Sequence, residues 1–190
     1  MKNLPYRPDP SANSIFLKET MNAQELQTLQ APLKVRYKEQ PQAALMTLRA
    51  QGLLGEGITC RVETGRSLVE AGLHPATGGT GLQACSGDML LEALVACAGV
   101  TLRAVATAID FQLQNGLVTA EGDLDFRGTL GVAKEAPVGF QEIRLRFELE
   151  TSEPQERIDS LLKLTERYCV VFQTLARSLQ LNLIVQKADA

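Results

Sequence analysis

Between residues 86 and 109 the run SGDMLLEALVACAGVTLRAVATAI is apolar on nearly every face of a helix; Asp88, Glu92 and Arg103 are its only charges, and no proline interrupts it. At 1.5 Å per residue it makes a helix of about 36 Å. A compact chain of this length has a radius of gyration of about 16 Å, so the helix crosses the whole body and must be wrapped by other elements. Ser86 is placed as its N-cap, and Asp88 suits the positive end of the helix dipole.

Ahead of this helix the period changes to two. Ile58, Cys60 and Val62 alternate with Thr59, Arg61 and Glu63, which is a strand with Cys60 on its apolar side. Thr64, Gly65 and Arg66 form a turn, and residues 67–73 a second strand, giving a hairpin. Nearer the N-terminus, residues 15–30 predict a short amphipathic helix ended by Pro32, and LKVRY (33–37) a strand or extended lead-in. Residues 40–52 read as a further helix, with Pro41 in its first turn and Gly52 as its stop.

After the central helix, residues 117–128 predict a strand and 128–139 a loop loosened by glycines and Pro137. Residues 140–150 then alternate without a fault: Ile143, Leu145, Phe147 and Leu149 face one way, Glu142, Arg144, Arg146 and Glu148 the other. One wet face implies a sheet that is at least partly antiparallel and covered on its other side. A second long helix opens with Ser152 as N-cap, Pro154 in the first turn and Gln155 completing a capping box. Its apolar stripe runs from Ile158 through Cys169 and Phe172 to Leu179, and Leu181, Leu183 and Val185 alternate as a last strand. The class is therefore α+β, with an N-terminal arm over residues 1–31 and a single domain over 32–190.

Composition narrows the function classes. With 190 residues, 45% of them apolar and 22% charged, the chain fits one domain with a sizeable core. A net charge of -3 without any Lys/Arg cluster gives no electrostatic footprint for nucleic acid. Residues 1–14 carry three prolines and no apolar core, unlike a signal peptide, which points to the cytoplasm. Glu92 and Arg103 inside the central run, with no second apolar span, argue against a membrane. The Gly-rich segment before the helix, HPATGGTGLQACSG, lacks both phosphate-cradle spacings.

The four cysteines, Cys60, Cys85, Cys97 and Cys169, form no C-x-x-C pair, and the single histidine, His74, completes no zinc spacing. No metal or other cofactor is expected. In a reducing compartment what is left is thiol chemistry or plain burial, since a buried cysteine behaves as a small hydrophobe.

Two motifs bear on that choice. The run from Asp88 to Cys97, DMLLEALVAC, resembles the P-x-E-L-L-L-A-A-L-x-x-C signature of the osmotically inducible protein C and organic hydroperoxide resistance (OsmC/Ohr) family, with Asp88 at the acid nine residues before the cysteine. Tyr168-Cys169-Val-Val-Phe-Gln-Thr-Leu175 is similar to its second motif, C-P-V-x-x-T-L, with Val170 where the family has proline. Both occur in family order, and the resemblance covers about residues 55–186.

The resemblance implies two intertwined subunits forming a homodimer, with curved antiparallel-rich sheets wrapped around two long central helices and active sites at the dimer interface. It implies a peroxidatic Cys97 that attacks an organic hydroperoxide and a resolving Cys169, returned to the reduced state by an external thiol. Asp88 stands where the family's glutamate holds an arginine. Attack needs thiolate, burial raises a thiol pKa, and a mid-helix Cys97 gains little from its own helix dipole, so an arginine is expected to compensate. Arg66 is the first choice for it, with Arg61 and Arg36 as alternatives. Arg103 is read as a structural charge pairing with Glu92 or a partner chain, and Cys85 as a possible third redox thiol. A ligand-binding relative without turnover, or a structural protein with both cysteines in its core, are the competing readings.

Overall fold

The computed structural model describes residues 22–40, 52–54, 59–64, 67–131 and 133–186. In chain order its elements are helix α1 (Ala23–Glu39), strands β1 (Gly52–Leu54), β2 (Thr59–Thr64), β3 (Ser67–Gly72) and β4 (Ala84–Cys85), and the central helix α2 (Ser86–Ala108). Strand β5 (Asn115–Leu124), the one-turn helix α3 (Phe126–Thr129), strand β6 (Phe140–Glu150), helix α4 (Gln155–Tyr168) and helix α5 (Val170–Leu175) follow. The class is α+β, as expected.

Strands β1, β2 and β3 pair antiparallel, β4 joins β3 in parallel and leads directly into α2, and β5 with β6 forms a separate antiparallel pair. The β5–β6 pair packs its apolar face on α2, where Ile143, Leu145, Phe147 and Leu149 meet the helix. Its outer face is charged: Arg144 pairs across the strands with Asp123 at 2.8 Å.

Within the chain α2 buries one stripe, Leu94, Ala98, Leu102, Val105 and Ala106, at helical spacing. The stripe feeds two cores. Towards the end of α2, Leu102, Val105 and Ala106 pack with Phe111 and Leu161 of α4. Nearer its middle, Leu94 and Ala98 pack with Cys169. Leu94 and Leu161, at 1% and 0% exposure, each contribute about 2 kcal/mol by leaving water.

Asp110, in the left-handed region at φ 51°, turns the chain out of α2. The turn is fastened to the start of α4. The Gln112 amide donates to Glu153 at 2.9 Å, the Thr151 hydroxyl to the Gln112 carbonyl at 2.6 Å, and the Arg157 guanidinium to the Asp110 carbonyl at 2.8 Å. Arg103 donates to the Leu113 carbonyl at 3.1 Å, so it closes the end of its own helix rather than pairing with Glu92.

Several local expectations are corrected. Helix α1 runs through Pro32 to Glu39, so residues 33–37 are helical rather than extended. Its start is Ala23: Asn22 and Glu25 exchange reciprocal hydrogen bonds of 2.9 Å, a capping box that fixes the first turn. Pro32 is exposed, so its ring meets solvent on the outer face of the helix. Gly52 opens strand β1 instead of stopping a helix, while the rest of that expected helix lies outside the described residues. The N-cap of α2 is Cys85 rather than Ser86.

Strand β5 ends at Leu124, because the Asp125 carboxylate accepts the Arg127 amide at 3.0 Å and starts α3. The second long helix begins at Gln155 with Pro154 as its cap, not Ser152, since Glu153 is engaged by Gln112 and the Gln155 side chain turns forward to Asp159 at 2.8 Å. That helix also breaks at Cys169, so Leu179 belongs to no helical stripe. The expected last strand has no pairing partner among the described residues; residues 181–186 form no regular element and are exposed, Leu183 to 95%.

Candidate active site: a thiol pair at a helix break

Cys97 lies mid-helix in α2 and is half-buried, whereas Cys169 is buried between α4 and α5. The two meet in one apolar cluster with Leu94, Ala98, Val171 and Phe172, under the Ile143–Leu145 face of β6. Both are free thiols.

The local geometry at Cys169 makes the site. Its backbone sits at φ −72°, ψ 107°, so it ends α4 and caps α5 without belonging to either. Its amide still donates to the Thr165 carbonyl at 2.9 Å, and its own carbonyl already accepts the Gln173 amide at 2.9 Å. The Gln173 side chain reaches back to the Glu166 carbonyl at 2.9 Å and ties the two helices across the joint. Beneath it Thr165 is buried, its hydroxyl turned onto the Leu161 carbonyl at 2.8 Å. The break leaves the first amides of α5 without a carbonyl in their own helix.

Burial pushes the Cys97 thiol pKa up, but the polar groups beside it, the Val171 amide, the Cys169 thiol, the Val170 amide and the Thr101 hydroxyl, hold it below the ordinary value. Cys169 moves the other way: burial raises it first, and the neighbouring Cys97 raises it further, both as a hydrogen-bond partner and as a charge. One thiol is thus biased towards thiolate and its neighbour towards the protonated form.

The other predicted residues stand apart. Asp88 is exposed and lies nine residues before Cys97, about 13 Å along α2 and on its opposite side. Together with His74, Cys85, Asp123, Phe126 and Phe140 it lines a separate cavity of about 350 Å³. Arg66 lies outside the described residues. The backbone puts Arg61 in β2 opposite Glu70, and Arg36 in α1. Cys85, twelve residues before Cys97, is about 18 Å away along the same helix, beyond any disulfide, so it is no redox partner of Cys97 within the chain. Backbone pairing sets Cys60 opposite Ala71.

The Gly-rich segment is held by its own contacts. The Ala76 amide donates to His74 Nδ1 at 3.0 Å, and the His74 ring stacks on Phe126 with centroids 4.9 Å apart. Sequence reasoning did not find Thr101 or the two valine amides. Thr101 is legible as the residue four after Cys97 on one helix face. The amides are not, because neither proline nor glycine marks the break at Cys169.

A family model described as OsmC-like protein matches residues 79–184, a span that includes both cysteines. Among solved structures, an OsmC-like protein from Mycoplasma pneumoniae aligns with TM-score 0.58 at 18% identity, over 69% of this chain and 88% of that one. An organic hydroperoxide resistance protein OsmC from Legionella pneumophila aligns with TM-score 0.55 at 19% identity, over 70% and 90%. An organic hydroperoxide resistance protein from Elizabethkingia anophelis aligns with TM-score 0.55 at 17% identity, over 68% and 88%. At these identities the likeness is one of fold. No curated protein matches the chain.

Proposed function

The chain belongs to the OsmC-like protein family, and from that premise we propose that it is a thiol-dependent peroxidase that reduces organic hydroperoxides through Cys97 and Cys169. The observation that carries the reading is the opposed bias of the two thiols in contact: Cys97 is lowered and Cys169 raised. A nucleophile must be thiolate, while a resolving thiol serves best if it stays protonated until needed.

In the proposed cycle the Cys97 thiolate attacks one oxygen of the peroxide bond. The O–O bond breaks, Cys97 becomes a sulfenic acid, and the alkoxide leaves and takes up a proton as the alcohol. The Cys169 sulfur then attacks the sulfenic sulfur, forming a disulfide and releasing water. Two equivalents of an external thiol reduce that disulfide and restore both groups. The close second thiol limits over-oxidation, and all the electrons come from sulfur.

The active unit is proposed to be a homodimer in the cytoplasm. Supporting this, only 22% of the most apolar stretch of α2 is buried within the chain, and Val100 on it is 72% exposed. Arg66 is assigned to polarise the peroxide oxygen, held by Asp88. Because Asp88 faces away from Cys97 on its own helix, this pair is assigned to the thiol of the second copy.

Mass spectrometry after one equivalent of cumene hydroperoxide tests the reading. A Cys97–Cys169 disulfide is expected in the natural chain. Cys169→Ser should react once and accumulate sulfenic or sulfinic acid on Cys97, and Cys97→Ser should consume no peroxide. Two unmodified thiols would overturn the proposal.

A further inference from the structure

The cavity of about 350 Å³ at the start of α2 lies apart from the thiol pair, and its walls are fixed by contacts within the chain. On one side the His74 ring stacks on Phe126, with its Nδ1 taken by the Ala76 amide. On the other, the Phe140 ring lies so close to β5 that a Cβ at Gly122 would stand 2.5 Å from it. Leu91 and Leu124 complete an apolar lining. A preformed space of this size, apolar with a few polar groups, suits a small organic molecule.

Charge selects which one. Two carboxylates, Asp88 and Asp123, line the cavity, and no Lys or Arg does. Asp123 is paired with Arg144, but that one guanidinium is divided among Asp123 at 2.8 Å, Glu142 at 3.1 Å and Glu121 at 3.8 Å. Three carboxylates around a single cation leave this end of the β5–β6 pair with an excess of negative charge. Arg144 also holds the Asp123 carboxyl below its ordinary value, which keeps it ionised at neutral pH. An anion is repelled from such a mouth, and a purely apolar molecule leaves its field unused. Phenyl rings such as Phe126 and Phe140 accept an apolar body and attract a cation placed over their faces.

We infer that this cavity is a binding site for a small organic cation, an ammonium group carried on an aromatic or alkyl body. The inference goes beyond the peroxidase reading and does not rest on it. Asp88 is assigned above to Arg66, so the test leaves Asp88 unchanged.

The probe is benzylammonium, and its control is benzyl alcohol, which has nearly the same shape and no charge. Each is titrated into the isotope-labelled natural chain and followed by the amide signals of Gly87 and Gly122 in NMR spectra. Benzylammonium should give saturating shifts at both, with benzyl alcohol binding about tenfold more weakly. A Cβ at Gly87 would meet the Phe140 ring at 3.5 Å and the Cys85 Sγ at 3.6 Å, which are ordinary contacts. Gly87→Leu therefore fills the cavity from a helical position where glycine is the poorer residue, and it should abolish the saturating shift at Gly122.

The absence of saturating shifts in the natural chain, equal affinity for the two probes, or a Gly122 shift that survives in Gly87→Leu would overturn the inference. If circular dichroism finds Gly87→Leu unfolded, Asp123→Asn, a substitution at an exposed side chain, decides in its place. It should weaken benzylammonium and leave benzyl alcohol unchanged. An unaltered affinity for benzylammonium, or an equal loss for both probes, would overturn the inference.

Discussion

Cys97 of α2 packs in one cluster with Cys169 of the α4–α5 break, and the two thiols are shifted in opposite directions, Cys97 down and Cys169 up. The pair is favoured with Cys97 ionised and Cys169 protonated, and that is the state in which the proposed attack begins.

The first prediction is therefore a separation of two pH midpoints. Alkylation of Cys97 should titrate below the free-thiol value of about 8.5, and that of Cys169 above it. The sign follows from the shifts: reactivity of Cys97 is retained between its lowered value and the ordinary one, and is lost as pH falls through the lowered value. Cys169→Ala should raise the Cys97 midpoint. Coincident midpoints, or a Cys97 midpoint that falls in that variant, would contradict the contact.

A second prediction concerns Thr101, one turn after Cys97 on α2, whose hydroxyl is among the groups that lower the Cys97 pKa. Thr101→Val keeps the shape and removes the hydroxyl. The Cys97 midpoint should rise, by less than in Cys169→Ala, with thermal stability within about 1 kcal/mol of the natural chain. A larger rise than in Cys169→Ala would reverse the order of the donors.

Packing around β5 gives a third. A Cβ added at Gly122 would stand 2.5 Å from the Phe140 ring. Gly122→Ala should cost about 2 kcal/mol, about 4–8 °C in melting temperature for a chain of this size, read by circular dichroism. Adding Phe140→Leu should recover part of the loss. An unchanged melting temperature would mean that the ring moves aside freely.

The fourth prediction is oligomeric. Sedimentation should find a homodimer at low micromolar concentration, and Leu183→Asp, placed in the open C-terminal run, should weaken it. A natural chain that sediments as a stable monomer would remove the argument for a site shared between subunits.

What was legible in the sequence was whatever a single period governs. Phe140–Glu150 follows strict alternation and forms a strand over the same residues, and the long apolar run gives a helix to within one residue of its expected end. The errors fall where two local signals compete. Pro32 reads as a terminator, yet it sits in a helix whose flanks are good helix formers and whose start is fixed by Asn22 and Glu25. At the site the two thiols that meet in one cluster were singled out by two spaced motifs, but the helix break beside them was not legible. It depends on one ψ angle at Cys169, and a helical apolar stripe continuing through Cys169 and Phe172 gives no sign of that turn. Ser152 and Gln155 form a sound capping pattern that lost to a long-range bond between Gln112 and Glu153.

The exposed apolar run at residues 181–186 bears on biosynthesis as well as on assembly. Leu181, Leu183 and Val185 are exposed in a run that joins no sheet among the described residues, and an apolar run of this kind can pair with any strand edge it meets. The yield of native protein is then decided by a race between capture at an ordered acceptor edge and indiscriminate sheet growth. Both reactions quicken with concentration, but only the first saturates, so slower synthesis should favour recovery of native protein over inclusion bodies.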